Sequence, residues 1–234
     1  MNRIKAALIH FAISVVVFAI FLSLVYFIWY AYPFNLTQGI AEIVYLMAGI
    51  DIVLGPLLTL VVFNAAKKGL KMDLTIIGSV QVAALIYGAF IIYSERPAWI
   101  VFAVDRFEVV GINEVDASKL VDKSLNIGVF DKPRIVYAEI PTGEEANDIL
   151  FAAIDGGADI DRHAQLYRQY VDNIDLIKPR MNDINAHSGV EKAVGENDKV
   201  KWFPVKGKNK NIVAIVDKET AEVENYLIIP PWIK

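Results

Sequence analysis

Three long apolar segments occupy the first 93 residues of this 234-residue chain. They cover residues 8–31, 40–63 and 74–93. A helix needs about 20 apolar residues to cross the hydrocarbon core of a bilayer, and each segment reaches that length. The core holds no water to satisfy backbone polar groups, so segments of this kind fold as helices. The sequence therefore predicts a three-helix membrane anchor over residues 1–95.

The remaining residues, 96–234, have the composition of a water-soluble domain. The whole chain has 23 Lys and Arg and 27 Asp and Glu, yet residues 1–93 hold few of them. The later part is therefore acidic, and an acidic domain repels nucleic acid. The chain has no cysteine, which excludes disulfides, thiolate metal sites and thiol nucleophiles.

Basic residues predict how the chain crosses the membrane. Arg3 and Lys5 precede the first segment, and three lysines lie in the link 64–73, whereas the link 32–39 has none. Cytoplasmic loops carry an excess of Lys and Arg, so the N-terminus and the second link are expected in the cytoplasm. The first apolar run is longer than that of a cleaved signal peptide, so we interpret it as a signal anchor that stays in the protein. Three crossings then place residue 94 onward outside.

Asp51 is the most informative residue of the predicted anchor, because it lies near the middle of the second span. A carboxylate at that depth costs a few kcal/mol, so it is expected to face protein and to have a function. The residues predicted to form a small, polar helix face that contacts a partner helix are Ala48, Asp51, Gly55, Pro56 and Thr59.

Tyr87 lies at about the same depth in the third span, and depth alone makes its hydroxyl the expected internal partner of Asp51. Three interpretations of Asp51 stay open. It could lock the packing of the three helices, bind a partner helix, or take part in proton or ion transport.

Residues 96–234 alternate between predicted strands and helices. The strands are predicted over 98–111, 135–140, 201–205, 211–217 and 222–229, with a hairpin between the last two. Helices are predicted over 144–154, where Thr142 and Glu145 have capping-box spacing, and over 162–174. This order indicates an α+β domain with a mainly antiparallel sheet.

The sequence predicts neither an enzyme nor a cofactor or metal site. His10, His163 and His187 lie far apart, and no nucleophile, phosphate-loop or dinucleotide motif occurs. The Asp-rich loop 155–161 lacks the terminal glutamate of a calcium loop and is expected to cap a helix.

Four segments resemble one family. They are residues 3–10 (RIKAALIH), 49–60 (GIDIVLGPLLTL), 67–73 (KKGLKMD) and 96–108 (RPAWIVFAVDRFE). Together, over about residues 3–110, they resemble the TfpX/TfpZ-type accessory proteins of type IV pilin systems. The resemblance implies a bacterial inner-membrane protein that assists the major pilin, affecting its stability, its assembly or pilus dynamics. With the orientation predicted from the basic residues, the C-terminal domain is then periplasmic.

The same resemblance implies that the block at the start of the domain matters, namely Trp99, Asp105, Arg106 and Phe107. The alternative for Asp105 and Arg106 is a local ion pair at the end of a strand. The expected partners are the major type IV pilin, the lipid bilayer and other pilus assembly proteins, with no nucleic acid.

Two functions follow as expectations. The first is a pilin chaperone or assembly factor, whose anchor holds the pilin helix and whose C-terminal hairpin pairs with the pilin head. The second is a membrane-anchored periplasmic ligand sensor that acts through a partner protein, because the predicted cytoplasmic parts are too short to signal alone.

Overall fold

The structure is a computed structural model, and it describes residues 2–232 apart from the side chains of Glu145 and Leu150. The chain forms two compact units. We call Met1–Ile28 with Ile40–Ser94 the membrane unit. We call Trp29–Gly39 with Glu95–Lys234 the outer unit, because most of it lies outside the three apolar segments.

The secondary structure of the described residues follows the two-part pattern of the sequence. The α-helices are α1 (Arg3–Leu24), α2 (Phe34–Gln38), α3 (Ala41–Ala48), α4 (Gly55–Val62), α5 (Leu70–Ser94), α6 (Glu144–Ile154), α7 (Ile174–Ile177) and α8 (Ser188–Val194). The strands are β1 (Pro97–Ala103), β2 (Arg106–Gly111), β3 (Arg134–Ala138), β4 (Tyr167–Gln169), β5 (Val200–Lys206), β6 (Ile212–Asp217) and β7 (Val223–Leu227).

Three helical segments are long and apolar enough to cross a membrane, as predicted. Span one is Arg3–Trp29, span two is Ala41–Val62 and span three is Leu70–Ser94. Spans one and three start earlier than the apolar runs, because the polar residues before each run are also helical.

Span two is interrupted at its centre by a π-helical turn, Gly49–Leu54, which separates α3 from α4. Within this turn the Gly55 amide bonds to the Ile50 carbonyl rather than to Asp51, as a wider helical register requires. Pro56 follows directly and has no amide hydrogen to donate. The turn and the proline together change the hydrogen bonding of the helix where Asp51 lies.

Span two contacts both other spans. Its α4 segment packs on α1 and α5, and α3 packs on α5. Two glycines permit this close approach, since a Cβ at Gly55 would overlap Gln81 and one at Gly88 would overlap Met47. Small residues at helix contacts are the usual means of packing helices in lipid.

The outer unit contains a seven-stranded sheet in the order β4-β3-β1-β2-β5-β6-β7. Four neighbouring pairs are antiparallel. The pairs β1·β3 and β2·β5 are parallel. The prediction of an α+β domain with a mainly antiparallel sheet is therefore confirmed.

Both faces of the sheet carry a hydrophobic core. Trp99 of β1 points to one face, where its ring meets Tyr167 at 5.8 Å between centroids. Its indole N–H donates to the Leu125 carbonyl at 3.0 Å. Phe102 points to the other face and packs edge-on against Phe203 at 4.8 Å. Successive side chains of a strand alternate between faces, which explains the burial of every β1 residue.

The link between spans one and two is part of the outer unit. Phe34 is buried and packs against Tyr226 of β7 at 5.5 Å. The Thr37 carbonyl accepts hydrogen bonds from the amides of Asn209 at 2.7 Å and Lys210 at 3.3 Å. A chain that crosses a membrane in these spans therefore has the link 29–39 and the C-terminal domain on the same side.

The predicted strand over 98–111 was wrong as one element, because it is a hairpin of β1 and β2. Val104 turns the chain with a φ of 59°. A valine with positive φ is rare because its branched side chain crowds the backbone. No glycine or proline marks this turn, so the run of strand-forming residues concealed it.

The predicted helix over 162–174 was also wrong. These residues form strand β4 at the sheet edge, flanked by short 3₁₀ turns, and helix α7 begins only at Ile174. Burial of Tyr167 in the core favours the strand over the helical spacing that the sequence displays. The helix over 144–154 is confirmed, but it follows Gly143 without a side-chain cap. The side chain of Glu145 lies outside the described residues.

Candidate intramembrane site

A cleft of about 210 Å³ lies on the membrane unit beside Asp51. We call it the Asp51 cleft. Its lining residues are His10, Ile13, Ser14, Val17, Asp51, Gly78, Gln81, Val82 and Leu85. Span one supplies one wall, span three supplies the other, and Asp51 of span two lies between them. The cleft is accessible from the outside of the unit, because Val82 is 57% exposed.

Asp51 is buried, with 7% of its surface exposed. Its Oδ1 atom has no hydrogen-bond partner among the described residues. A buried polar atom without a partner carries a desolvation cost that a bonded atom avoids. Asp51 therefore has an unsatisfied acceptor atom that is buried beside the cleft.

Gln81 of span three supplies a hydrogen bond that the backbone of span two lacks at Asp51. The Asp51 carbonyl would normally accept from Gly55, but that amide bonds to Ile50 instead. In the π register the donor would be Pro56, which has none. The Gln81 Nε2 group donates to the Asp51 carbonyl at 3.1 Å and replaces the lost bond. A side chain from a neighbouring helix commonly repairs such a break within a membrane.

A second polar contact joins spans one and two. His10 Nδ1 and Thr59 Oγ1 lie 2.6 Å apart, and the direction of donation depends on the histidine tautomer. Thr59 is buried by this packing. His10 thus has a partner on one side and lines the Asp51 cleft on the other.

The predicted partner face is covered largely by this chain itself. Asp51, Gly55, Pro56 and Thr59 are buried, and Ala48 is half-buried. Gly55 lies against span three, and Thr59 lies against span one. Of these five residues Asp51 alone lines the cleft.

Tyr87 does not fill the role predicted for it. Its side chain is exposed and does not line the Asp51 cleft. Depth along a span does not determine the direction in which a side chain points. Six residues of helix separate Tyr87 from Gln81, so the two side chains point about 120° apart around the helix axis. Gln81 was visible in the sequence as the main polar residue of span three, and that was the available signal.

The block at the start of the outer domain has a structural role. Trp99 and Phe107 are fully buried in the two cores. Arg106 forms the expected local ion pair with Asp105 at 3.2 Å and a second pair with Glu108 at 2.8 Å.

Two carboxylates buried in the outer domain are both paired with cations. Glu108 also contacts Lys206 at 3.2 Å, and Asp161 pairs with Arg162 at 2.5 Å. Burial raises the pKa of the Asp161 carboxyl, although Arg162 acts in the opposite direction. Paired carboxylates of this kind stabilise a fold as readily as they support chemistry.

The C-terminal hairpin of β6 and β7 has its predicted form, and β7 lies at one edge of the sheet in the described residues. An outer strand exposes backbone groups that another chain can pair with. The hairpin is therefore a second surface at which a partner could bind.

Comparison with known proteins points to one family. The profile of the fimbrial assembly protein FimB matches residues 1–39. A fimbrial assembly protein of serogroup I from Dichelobacter nodosus is 27% identical, over 94% of this chain and 96% of that protein. A second, of serogroups C1 and C2 from the same organism, is 34% identical over 47% of this chain and 86% of its own length. No solved structure matches the chain.

Proposed function

Since the chain belongs to the family of fimbrial assembly proteins, we propose that it assists type IV pilus assembly by binding the major pilin. In this proposal it is a TfpX/TfpZ-type accessory factor that stabilises pilin and catalyses no reaction. The Asp51 cleft receives the membrane helix of the pilin, and the outer domain contacts its head.

The buried and unsatisfied Oδ1 atom of Asp51 is the observation that carries the proposal. Within hydrocarbon no water is available to bond this atom, so a donor has to come from protein. A transmembrane helix that lies along spans one and three would bring a side-chain or terminal donor to Asp51. Polar contacts of this type are worth about 0.6–2 kcal/mol between helices in lipid.

The cleft is shaped for close approach of such a helix. A Cβ at Gly78 would meet no atom within 4 Å, so the wall there is open. Beside it, Thr75, Ser79 and Ala83 line a shallow groove that continues along span three. Small residues let the backbone of a guest helix come near, which is how most membrane helices associate.

We place the protein in the bacterial inner membrane with its N-terminus in the cytoplasm and its outer domain in the periplasm. The lysines between spans two and three support this orientation. The packing of Thr37 against Asn209 requires the first link and the domain to share one compartment. An alkaline-phosphatase reporter joined after the C-terminus should be active, and an inactive reporter would contradict the orientation.

Site-specific crosslinking in cells that make pili tests the cleft. A photoreactive residue at Val82, which lines the cleft, should crosslink to pilin. Val80 is the matched control, since it lies on the same helix, is 60% exposed and does not line the cleft. Equal pilin crosslinking at both positions would exclude a specific cleft.

Two variants separate the carboxylate from the shape of the cleft. Asp51→Leu removes the acceptor, and Gly78→Leu fills the open wall; both should lower the yield of the Val82 crosslink. Gly49→Leu is the control, because a Cβ there also meets no atom within 4 Å but Gly49 does not line the cleft. Unchanged yields in both test variants, with normal insertion, would reject the proposed docking site.

Deletion of the protein tests its place in assembly. We expect fewer surface pili with an unchanged level of pilin transcript. A changed transcript level would instead indicate a sensor that acts on pilin expression.

A further inference from the structure

A tight turn in the outer domain presents two apolar side chains at its tip. The turn runs from Gly128 to Asp131, and its backbone closes through the Asp131 amide and the Gly128 carbonyl at 3.2 Å. Val129 is 47% exposed and Phe130 is 72% exposed. Turn tips in water are normally polar, so adjacent valine and phenylalanine at this position need an explanation.

Two side chains that lie close to span ends in the sequence donate hydrogen bonds to the turn. The indole N–H of Trp29 donates to the Val129 carbonyl at 2.7 Å, and Trp29 is the last residue of span one. The Nη2 group of Arg96 donates to the Gly128 carbonyl at 3.0 Å, and Arg96 is the second residue after span three. Two residues that adjoin the ends of spans one and three along the chain therefore hydrogen-bond to the turn.

Several backbone polar groups of the turn have hydrogen-bond partners within the protein. The Gly128 amide donates to the Asp131 carboxylate at 2.8 Å, so the charged side chain folds back on the turn. The carbonyls of Gly128 and Val129 have the side-chain donors described above. Backbone groups that enter the edge of a bilayer have to be satisfied in this way.

We propose that the tip of this turn, Val129 and Phe130, inserts into the interfacial layer of the bilayer. The turn is then a lipid-binding site that ties the outer domain to the membrane surface independently of the three spans. Lys132 follows the tip, is exposed and carries the charge that suits lipid phosphate groups. Aromatic side chains are favoured at this depth of the membrane.

The chain has no cysteine, which permits a direct test in the full-length protein. Single cysteines at Val129, Phe130 and Val104 are labelled with an environment-sensitive fluorophore. Each protein is then reconstituted, without pilin, into vesicles of phosphatidylethanolamine and phosphatidylglycerol with or without brominated chains. Val104 is the matched control, being a valine of similar exposure, 42%, at the far end of β1 from Pro97.

Labels at 129 and 130 should emit at shorter wavelength and lose fluorescence to the brominated lipids, whereas the label at 104 should do neither. Quenching at 129 should be lost when Phe130→Asp is added and retained with Phe130→Leu. The site is disproved if the two tip labels are quenched no more than the label at 104. It is also disproved if Phe130→Asp leaves the quenching at 129 unchanged, since the fluorophore itself would then be the inserting group.

Discussion

In the membrane unit the exposed side chains include Ile20, Phe27 and Val61, and the buried ones include Asp51 and Thr59. The outer unit has the opposite arrangement, with Trp99, Phe102 and Phe203 fully buried. In water, hiding apolar surface stabilises a fold by about 25 cal/mol per Å². In lipid this driving force between helices is absent, and close packing and hydrogen bonds take its place.

The comparison shows that the contribution of a side chain to stability depends on whether water or lipid surrounds the fold. In the membrane unit, a glycine stabilises the packing because it lets a neighbouring helix come close. In the outer unit, a tryptophan stabilises the packing because its large side chain fills the core. The changes below test this contrast, ordered from the largest expected effect to the smallest.

Trp99→Ala should cause the largest loss. It removes a fully buried ring and leaves the Leu125 carbonyl without its indole donor. Replacing a buried aromatic residue by alanine costs about 3–5 kcal/mol. Thermal unfolding of the detergent-solubilised protein, followed by near-ultraviolet circular dichroism, measures the effect. Trp232→Ala is the control, because that side chain is exposed and should change stability by about 0.5 kcal/mol or less.

Gly88→Leu should destabilise the membrane unit with little effect on the outer one. The new side chain would overlap Met47 of span two. Overfilling a packed contact costs about 1–3 kcal/mol. Loss of helicity during titration with a denaturing detergent reports this change, and Gly49→Leu should titrate like the parent protein. Equal midpoints for all three would mean that the contact between spans two and three carries little of the stability.

Asp161→Asn should change how the stability of the outer domain depends on pH. Burial raises the pKa of Asp161 above its ordinary value, so at mildly acid pH the folded state binds more protons than the unfolded state. This group therefore makes the native protein more stable as the pH falls from neutral toward the ordinary aspartate range.

The asparagine variant lacks that proton uptake. Melting temperatures measured from neutral to mildly acid pH should show the native protein gaining stability relative to the variant. A constant difference between the two would show that Asp161 titrates normally.

Lys208→Ala should have the smallest effect. Lys208 pairs with Glu95 at 2.9 Å, but both side chains are about half exposed. Exposed ion pairs contribute about 0–1 kcal/mol and weaken in salt. The change in melting temperature should be small at low ionic strength and should disappear in concentrated salt.

The features that depend on periodicity and length could be predicted from the sequence. The three spans, the helix at 144–154 and the hairpin of β6 and β7 all agree with the structure. Errors arose where a long-range contact overrides a local pattern. Tyr167 is buried in the core of the sheet. The residues around it therefore form a strand and turns, although their apolar residues have helical spacing.

The candidate site was predictable in part. A carboxylate in the middle of an apolar run identified Asp51, but its partners depend on how each helix is rotated. That rotation follows from contacts such as Gly55 with Gln81, which no spacing within span two encodes. The π-helical turn was equally hidden, although Pro56 indicated a break in hydrogen bonding near Asp51.

The packing of the first link into the outer unit has a consequence for how the protein is made. The Leu36 carbonyl accepts from Asn209, and 173 positions of chain separate the two residues. At a translation rate of about 5–20 residues per second, Asn209 is synthesised roughly 10–35 s after Leu36. During that interval Phe34 has no β7 strand to cover it. If translation ended before the last hairpin, the Phe34 ring would stay exposed, and proteases and chaperones could bind there.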